Sequence, residues 1–211
     1  MKITIVSQYF YPEEFKVNDL AEEWVKRGHD VTVLTGKPNY PGGKILKGYK
    51  FWGVQEESYK GIRVIRVPLA PRGKGGGIRL ALNYLSYVFF ASYYVLTHRL
   101  DTDRIFCFEI SPVFQMYPAL LLKRKTGADV SMWIQDLWPE SVAASSNLKS
   151  GFIQNLLSVL IRGIYRRADT LFVQSPAFNE SVLDKGEFQD KLSYVPNWAE
   201  DVFTRRTSGL N

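Results

Sequence analysis

The sequence has one cysteine, Cys107, and two histidines, His29 and His98, so it holds no material for an internal disulfide or a His/Cys zinc site. Cys107 lies in the apolar run IFCF and reads as a small core residue of a protein from a reducing compartment. The loop expected after the first strand, SQYFYPEEFKVND, has no glycine, which removes the G-x-G-x-x-G dinucleotide fingerprint from the place it would have to occupy. RGKGGG at 72–77 lacks the Ser or Thr of a phosphate-loop ATPase. Internal repeats are absent, and 45% apolar with 23% charged residues excludes disordered and fibrous classes. Only four apolar residues, ITIV, separate Met1 and Lys2 from polar Ser7 and Gln8, so no secretory leader is expected and a cytoplasmic location is.

What is present alternates. KITIV (2–6) reads as a buried strand, Val17 to Arg27 as a helix ended by Gly28, and DVTVLTG (30–36) as a second strand. His29, beside that helix end, reads as a capping residue. A long Gly/Pro/Lys/Tyr segment runs from 37 to about 59 before a strand at 62–69, and a loop of that length suggests function or mobility. The run 78–97 is apolar nearly all round; Arg79, Asn83 and four tyrosines favour a helix buried in an α/β layer over a membrane span. Strands at 104–110, 128–134, 170–176 and 191–197, with helices at 112–127, 152–167 and up to about 186, complete an α/β pattern. The expected fold is a Rossmann-like parallel β-sheet with helices on both faces, over residues 1–197. Residues 198–211 have no periodicity and read as a linker or tail.

The net charge of +6 is uneven, with ten Lys/Arg against two Asp/Glu between 37 and 79. Such a patch suits an anionic partner such as nucleic acid, a membrane surface or a phosphorylated substrate, or simply a soluble loop. Lys37, Lys44, Lys47, Lys50 and Lys60, interleaved with Tyr40, Tyr49, Phe51 and Trp52, combine cations with interfacial aromatics and mark the expected membrane-facing surface. Asp101-Thr102-Asp103 has a metal-binding spacing but precedes its strand, at the wrong edge of the sheet, so a solvated turn is expected and no metal.

Candidate site residues gather at strand C-terminal ends, where open α/β sheets bind ligands. They are Gln8 to Asn18, including Lys16, then Glu109 and Ser111, Gln135 to Glu140, Gln174 and Ser175, and Asn197. WIQDLWPES (133–141) is the densest, because Pro139 must end the strand and thereby presents Gln135, Asp136 and Glu140 at its tip. A helix N-terminus capped by Asp136, with Pro139 in the first turn, accounts for part of the same pattern.

KITIVSQYFYPE, LAEEWVKRGHDVTVLTGKPNYPGGK, IRVIRVPL, WIQDLWPES and YVPNWAE together resemble the N-terminal half of retaining glycosyltransferases of family 4, which have the two-domain GT-B fold. The resemblance is strongest to bacterial enzymes of O-antigen, colanic-acid or capsule synthesis. It implies an acceptor-binding domain whose partner domain, absent from this sequence, would hold most of the nucleotide-sugar, and no metal or cofactor. It also implies a lipid-linked polyprenyl-diphosphate acceptor at the inner face of the plasma membrane, and no nucleic acid. Asp136 and Gln135 take the catalytic positions, with Gln135 where many members have a histidine that binds the donor sugar. Lys16, Asn18, Glu109, Ser111, Glu140, Gln174, Ser175 and Asn197 take acceptor- or donor-side positions. The fragment alone is expected to be inactive. A stand-alone acceptor-binding subunit of a split transferase and a nucleotide-sugar epimerase of the same fold are the alternatives.

Overall fold

The β-branched run KITIV forms β1 (Lys2–Val6), which pairs in parallel with β2 (Asp30–Gly36) from Lys2 opposite Asp30 to Val6 opposite Leu34. Helix α1 (Lys16–Lys26) crosses between them, and Gly28 at φ 80 turns the chain back, a conformation that favours glycine. The computed structural model describes residues 1–74, 76–140 and 151–198. Its strands form one eight-stranded sheet of order β3-β4-β2-β1-β5-β6-β7-β8. The further strands are β3 (Gln55–Tyr59), β4 (Ile62–Val67), β5 (Arg104–Glu109), β6 (Asp129–Ile134), β7 (Thr170–Val173) and β8 (Leu192–Tyr194). Strand order reverses between β1 and β5, and the crevice outside their carboxyl ends is where such a sheet takes its ligand.

Two cores cover the two faces. Ile3, Ile5, Val31, Val33, Phe106 and Trp133 pack with Val17 and Ala21 of α1. On the other face, Val6, Leu34, Ile65, Cys107 and Ile134 pack beneath α2 (Gly77–Thr97), α3 (Met116–Thr126) and α4 (Gly151–Arg167). A short α5 (Ala177–Leu183) follows β7.

Two expectations are corrected. The segment before 62 is not all loop: β3 pairs antiparallel with β4, and Lys60 (φ 47) and Gly61 (φ 82) make the two-residue turn. QEESY escapes a hydrophobic scan because it is an edge strand with only one apolar residue. Helix α2 is not buried all round. Asn83, Tyr87, Ala91, Tyr94 and Val95 face the core, whereas the large apolar side chains at 78, 82, 85, 89, 93 and 96 are exposed. The tail expected at 198–211, apart from Trp198, and the continuation of the chain past Glu140 lie outside the described residues.

Candidate active site

The loop after β1 is packed inward: Gln8, Tyr9, Phe10 and Glu13 are all buried. One carboxyl oxygen of Glu13 accepts the backbone N–H groups of Asn39 at 2.8 Å and Tyr40 at 2.7 Å, tying this loop to KPNYPGG. Its other oxygen has no partner. Burial pushes the Glu13 carboxyl up to about 7, against the pull of the backbone donors and of Arg66. Asn18 staples the same loop, accepting from Tyr11 N at 3.0 Å and donating to Glu13 O at 2.7 Å.

On the α1 side of the sheet edge lies an open cavity of about 710 Å³, lined among others by Tyr11, Phe15, Lys16, Asn18, Phe108 and Gln135. An amide cluster stands at its rim. Asn197 Nδ2 donates to Gln135 Oε1 at 2.9 Å and to Gln174 Oε1, while Gln174 Nε2 donates to the Gln135 carbonyl at 2.8 Å. Gln135 Nε2 is buried without a partner, a donor left available to whatever enters.

Asp136 serves the other side. Ser111 Oγ donates to Asp136 Oδ2 at 2.8 Å and accepts from Trp138 Nε1 at 3.1 Å. Tyr84 of α2 lies within electrostatic reach of Arg72, Ser111, Asp136 and Tyr9, and burial raises its phenol pKa. The Arg72 guanidinium sits 3.5 Å from the Tyr9 hydroxyl and 5.3 Å from the centre of the Tyr40 ring. Beneath them Gln8 Nε2 donates to Asn83 Oδ1 at 2.7 Å, and Asn83 Nδ2 donates to Ala70 O at 2.7 Å. A carboxylate, a cation and two phenols therefore face one space beside α2. Glu109 lies under this group, fully buried with neither carboxyl oxygen hydrogen-bonded. Burial, then the Asp136 charge, holds its pKa well above the ordinary carboxylate value.

A second cavity, of about 500 Å³, lies between the loops at 42–45 and 71–74, where Lys44, Lys74 and Arg79 bring positive charge to its walls. Gly43 N and O pair with neighbouring backbone, the latter receiving Gly73 N at 2.8 Å, and a side chain at 43 would collide with Gly73 O.

Residues 14–198 match the family model described as "Glycosyl transferase 4-like domain". The chain belongs to this family. Along 209 residues this glycosyl transferase 4-like domain is 23% identical to WcaI of Escherichia coli (strain K12), a protein named as a glycosyl transferase of colanic acid biosynthesis, covering 95% of the chain and 51% of WcaI. In fold it is similar to an E. coli structure titled as trehalose-6-phosphate bound with UDP-2-fluoro glucose (TM-score 0.60, 10% identity, 100% of this chain and 52% of that one). It is also similar to LpCGTa in complex with UDP (TM-score 0.55, 10% identity, 94% and 53%). The chain thus spans about half the length of these relatives, and its fold is that of a Rossmann-like half of a GT-B protein.

The structure divides the residues expected at one crevice. Lys16, Asn18, Gln135, Gln174 and Asn197 gather on the α1 side; Asp136 and Ser111 join Tyr9, Tyr84 and Arg72 on the α2 side. Glu140 belongs to neither, because its carboxylate accepts Ser181 Oγ at 2.8 Å and the nearly buried Lys185 Nζ at 2.7 Å. Ser175 Oγ accepts Ala177 N at 3.3 Å, in the first turn of α5. Lys37 is corrected outright. It is fully buried and bonded to Gln55 Oε1, and burial, with Arg66 nearby, pushes its ammonium down to about 8. Lys60 is engaged by Glu22 at 2.8 Å. Lys44, Lys47, Lys50 and Trp52 are exposed. Asp101 and Asp103 both bond to Lys2 at the opposite edge. Tyr9 and Glu13 fall within the Gln8–Asn18 loop that the sequence marks as a candidate, whereas Arg72 and Tyr84 lie outside every candidate segment.

Proposed function

We propose that the chain is the acceptor-binding half of a retaining glycosyltransferase which, as a full-length protein, moves a sugar from a nucleotide-sugar to a lipid-linked glycan in bacterial surface polysaccharide synthesis. The observation that carries this reading is the Asp136 carboxylate, held by Ser111 at the carboxyl edge of the sheet and facing the same space as Arg72. Transfer needs a group that orients an acceptor hydroxyl and takes its hydrogen bond as the new glycosidic bond forms. The hydrogen bond from Ser111 and the strand-tip position of Asp136 support that role. The cavity bearing Lys44, Lys74 and Arg79 offers positive charge to the diphosphate of a lipid carrier. On the α1 side, the unpartnered Gln135 amide would meet the donor sugar at the mouth of the cleft. Exposed Lys44, Lys47, Lys50 and Trp52 support a position at the cytoplasmic leaflet.

The test is a donor screen on the full-length protein with a polyprenyl-diphosphate-sugar acceptor. Transfer to that acceptor with retained anomeric configuration is expected. Acceptor-independent conversion of one nucleotide-sugar into another would instead identify an epimerase. Activity that appears only when a separate catalytic chain is added would identify a split system.

A further inference from the structure

We infer that α2 is an in-plane membrane anchor, its exposed face inserted among the headgroups and upper acyl chains of an anionic leaflet. This rests on the membrane location in the proposed function and assigns the contact to a different element from the lysine-rich loop. Ile78, Leu82, Leu85, Phe89, Tyr93 and Leu96 recur every three or four residues and are each more than half exposed, so they form one continuous apolar stripe along the helix. At 21 residues the helix is about 30 Å long and its apolar character suffices for a span, yet its other side is fixed to the core by Asn83, Tyr87 and Ala91. A helix with one side held by its own domain cannot cross a bilayer. It can lie along one.

The surroundings choose the occupant. No Asp or Glu occurs between 77 and 97. Trp52, 69% exposed, packs edge-on to Phe90 at 6.4 Å and extends the apolar surface sideways. Lys44, Lys74 and Arg79 border its N-terminal end, Arg99 lies just past its C-terminal end, and among the described residues none of the four has an ion-pair partner. Apolar face, aromatic flank and unpaired cations at the rim are the composition of a helix lying at an anionic interface. A second copy docked on the same stripe would set these cations against their own kind. The orientation also has a consequence for the site, because Tyr84 on the same helix belongs to the Asp136 cluster. Docking through α2 would hold that cluster at headgroup depth, where a lipid diphosphate lies.

Full-length protein should be mixed with phosphatidylcholine vesicles with and without phosphatidylglycerol, with no donor or acceptor present. Binding only to the anionic vesicles is expected, falling by about tenfold or more in Leu85→Glu and Phe89→Glu, whose exposed sites leave the melting temperature unshifted. Tyr194→Glu, on the far edge strand, should bind as wild type does. A nitroxide attached at Phe89→Cys should gain oxygen accessibility on the vesicles. Wild-type binding by both glutamate variants overturns the inference. So does a stable dimer that Leu85→Glu converts to monomer without any vesicle binding. Because the assay contains no substrate, absent binding alongside normal turnover of detergent-solubilised acceptor would refute the anchor alone, and binding without turnover would refute the enzymatic reading alone.

Discussion

Gln135 and Asp136 are consecutive in the chain but engage opposite sides of the sheet. Gln135 Oε1 accepts from Asn197 at 2.9 Å beside the α1 cavity, whereas Asp136 Oδ2 accepts from Ser111 at 2.8 Å beneath α2. The alternation of side chains along β6 carries past its last residue and separates the two roles. The donor recognition proposed for Gln135 and the hydroxyl orientation proposed for Asp136 are thereby open to independent tests.

Asp136→Asn in the full-length enzyme should lower turnover by about 100-fold or more while leaving the melting temperature unchanged, the usual scale for a group that handles a proton. If Asp136 only capped a helix, Asn would cap as well and activity would persist. Glu140→Gln should leave turnover within about threefold of wild type, since its partners are Ser181 and Lys185, and should lower thermal stability slightly by weakening a pair with a nearly buried lysine. Steady-state kinetics beside thermal melts of the two variants checks both.

Glu13 is a structural latch with a pH signature. Glu13→Ala removes the acceptor of two backbone N–H groups in a buried loop, at about 1–3 kcal/mol for each group left unsatisfied. The folded carboxyl titrates at about 7, above its ordinary value of 4.5. A raised folded pKa means that its contribution to stability is fully present below about 4.5 and is lost as pH rises through about 7. Glu13→Gln keeps the accepting oxygen and cannot ionise, so its unfolding free energy should lack this decline. Urea melts across that pH range measure the difference in slope.

Gly43 and Gly48 both have positive φ, 72 and 98, but differ in their space. A Cβ at 43 would come within 1.8 Å of Gly73 O, whereas at 48 it meets nothing. Gly48→Ala should cost only the backbone strain, about 1–3 kcal/mol. Gly43→Ala should cost more and also raise the KM for acceptor, by parting the loops that bear Lys44 and Lys74. Equal effects of the two substitutions on KM would show that the cavity between these loops does not serve the acceptor.

Calorimetry on the 211-residue chain with UDP-sugars should show no micromolar binding, because a GT-B cleft draws its walls from two domains and this chain spans about half the length of its relatives. Tight binding would place the donor site within the α1-side cavity.

The sequence by itself determined the alternation of strands and helices, the sheet with helices on both faces and the family. The first two follow from local periodicity, since KITIV, DVTVLTG and ADVSMWI each carry enough β-branched or apolar residues to declare a buried strand alone; the family followed from the resemblance of motifs such as LTGKPNYPGGK and WIQDLWPES. It also placed Asp136 and Gln135 at a strand tip, because proline must end a strand. Tertiary structure decided which side each one serves, since the facing elements, α1 with Asn197 and α2 with Ser111, come from distant parts of the chain. It decided that Lys37 is interior and Lys44 exterior, although both read as surface lysines, because only the paired β3–β4 edge supplies Gln55 to receive the Lys37 ammonium. It decided, finally, that α2 buries one side and bares the other. Both sides are apolar, so the helix carries no amphipathic pattern, and which side meets the sheet depends on where Asn83 and Tyr87 find their hydrogen-bond partners, Gln8 and the Leu34 carbonyl.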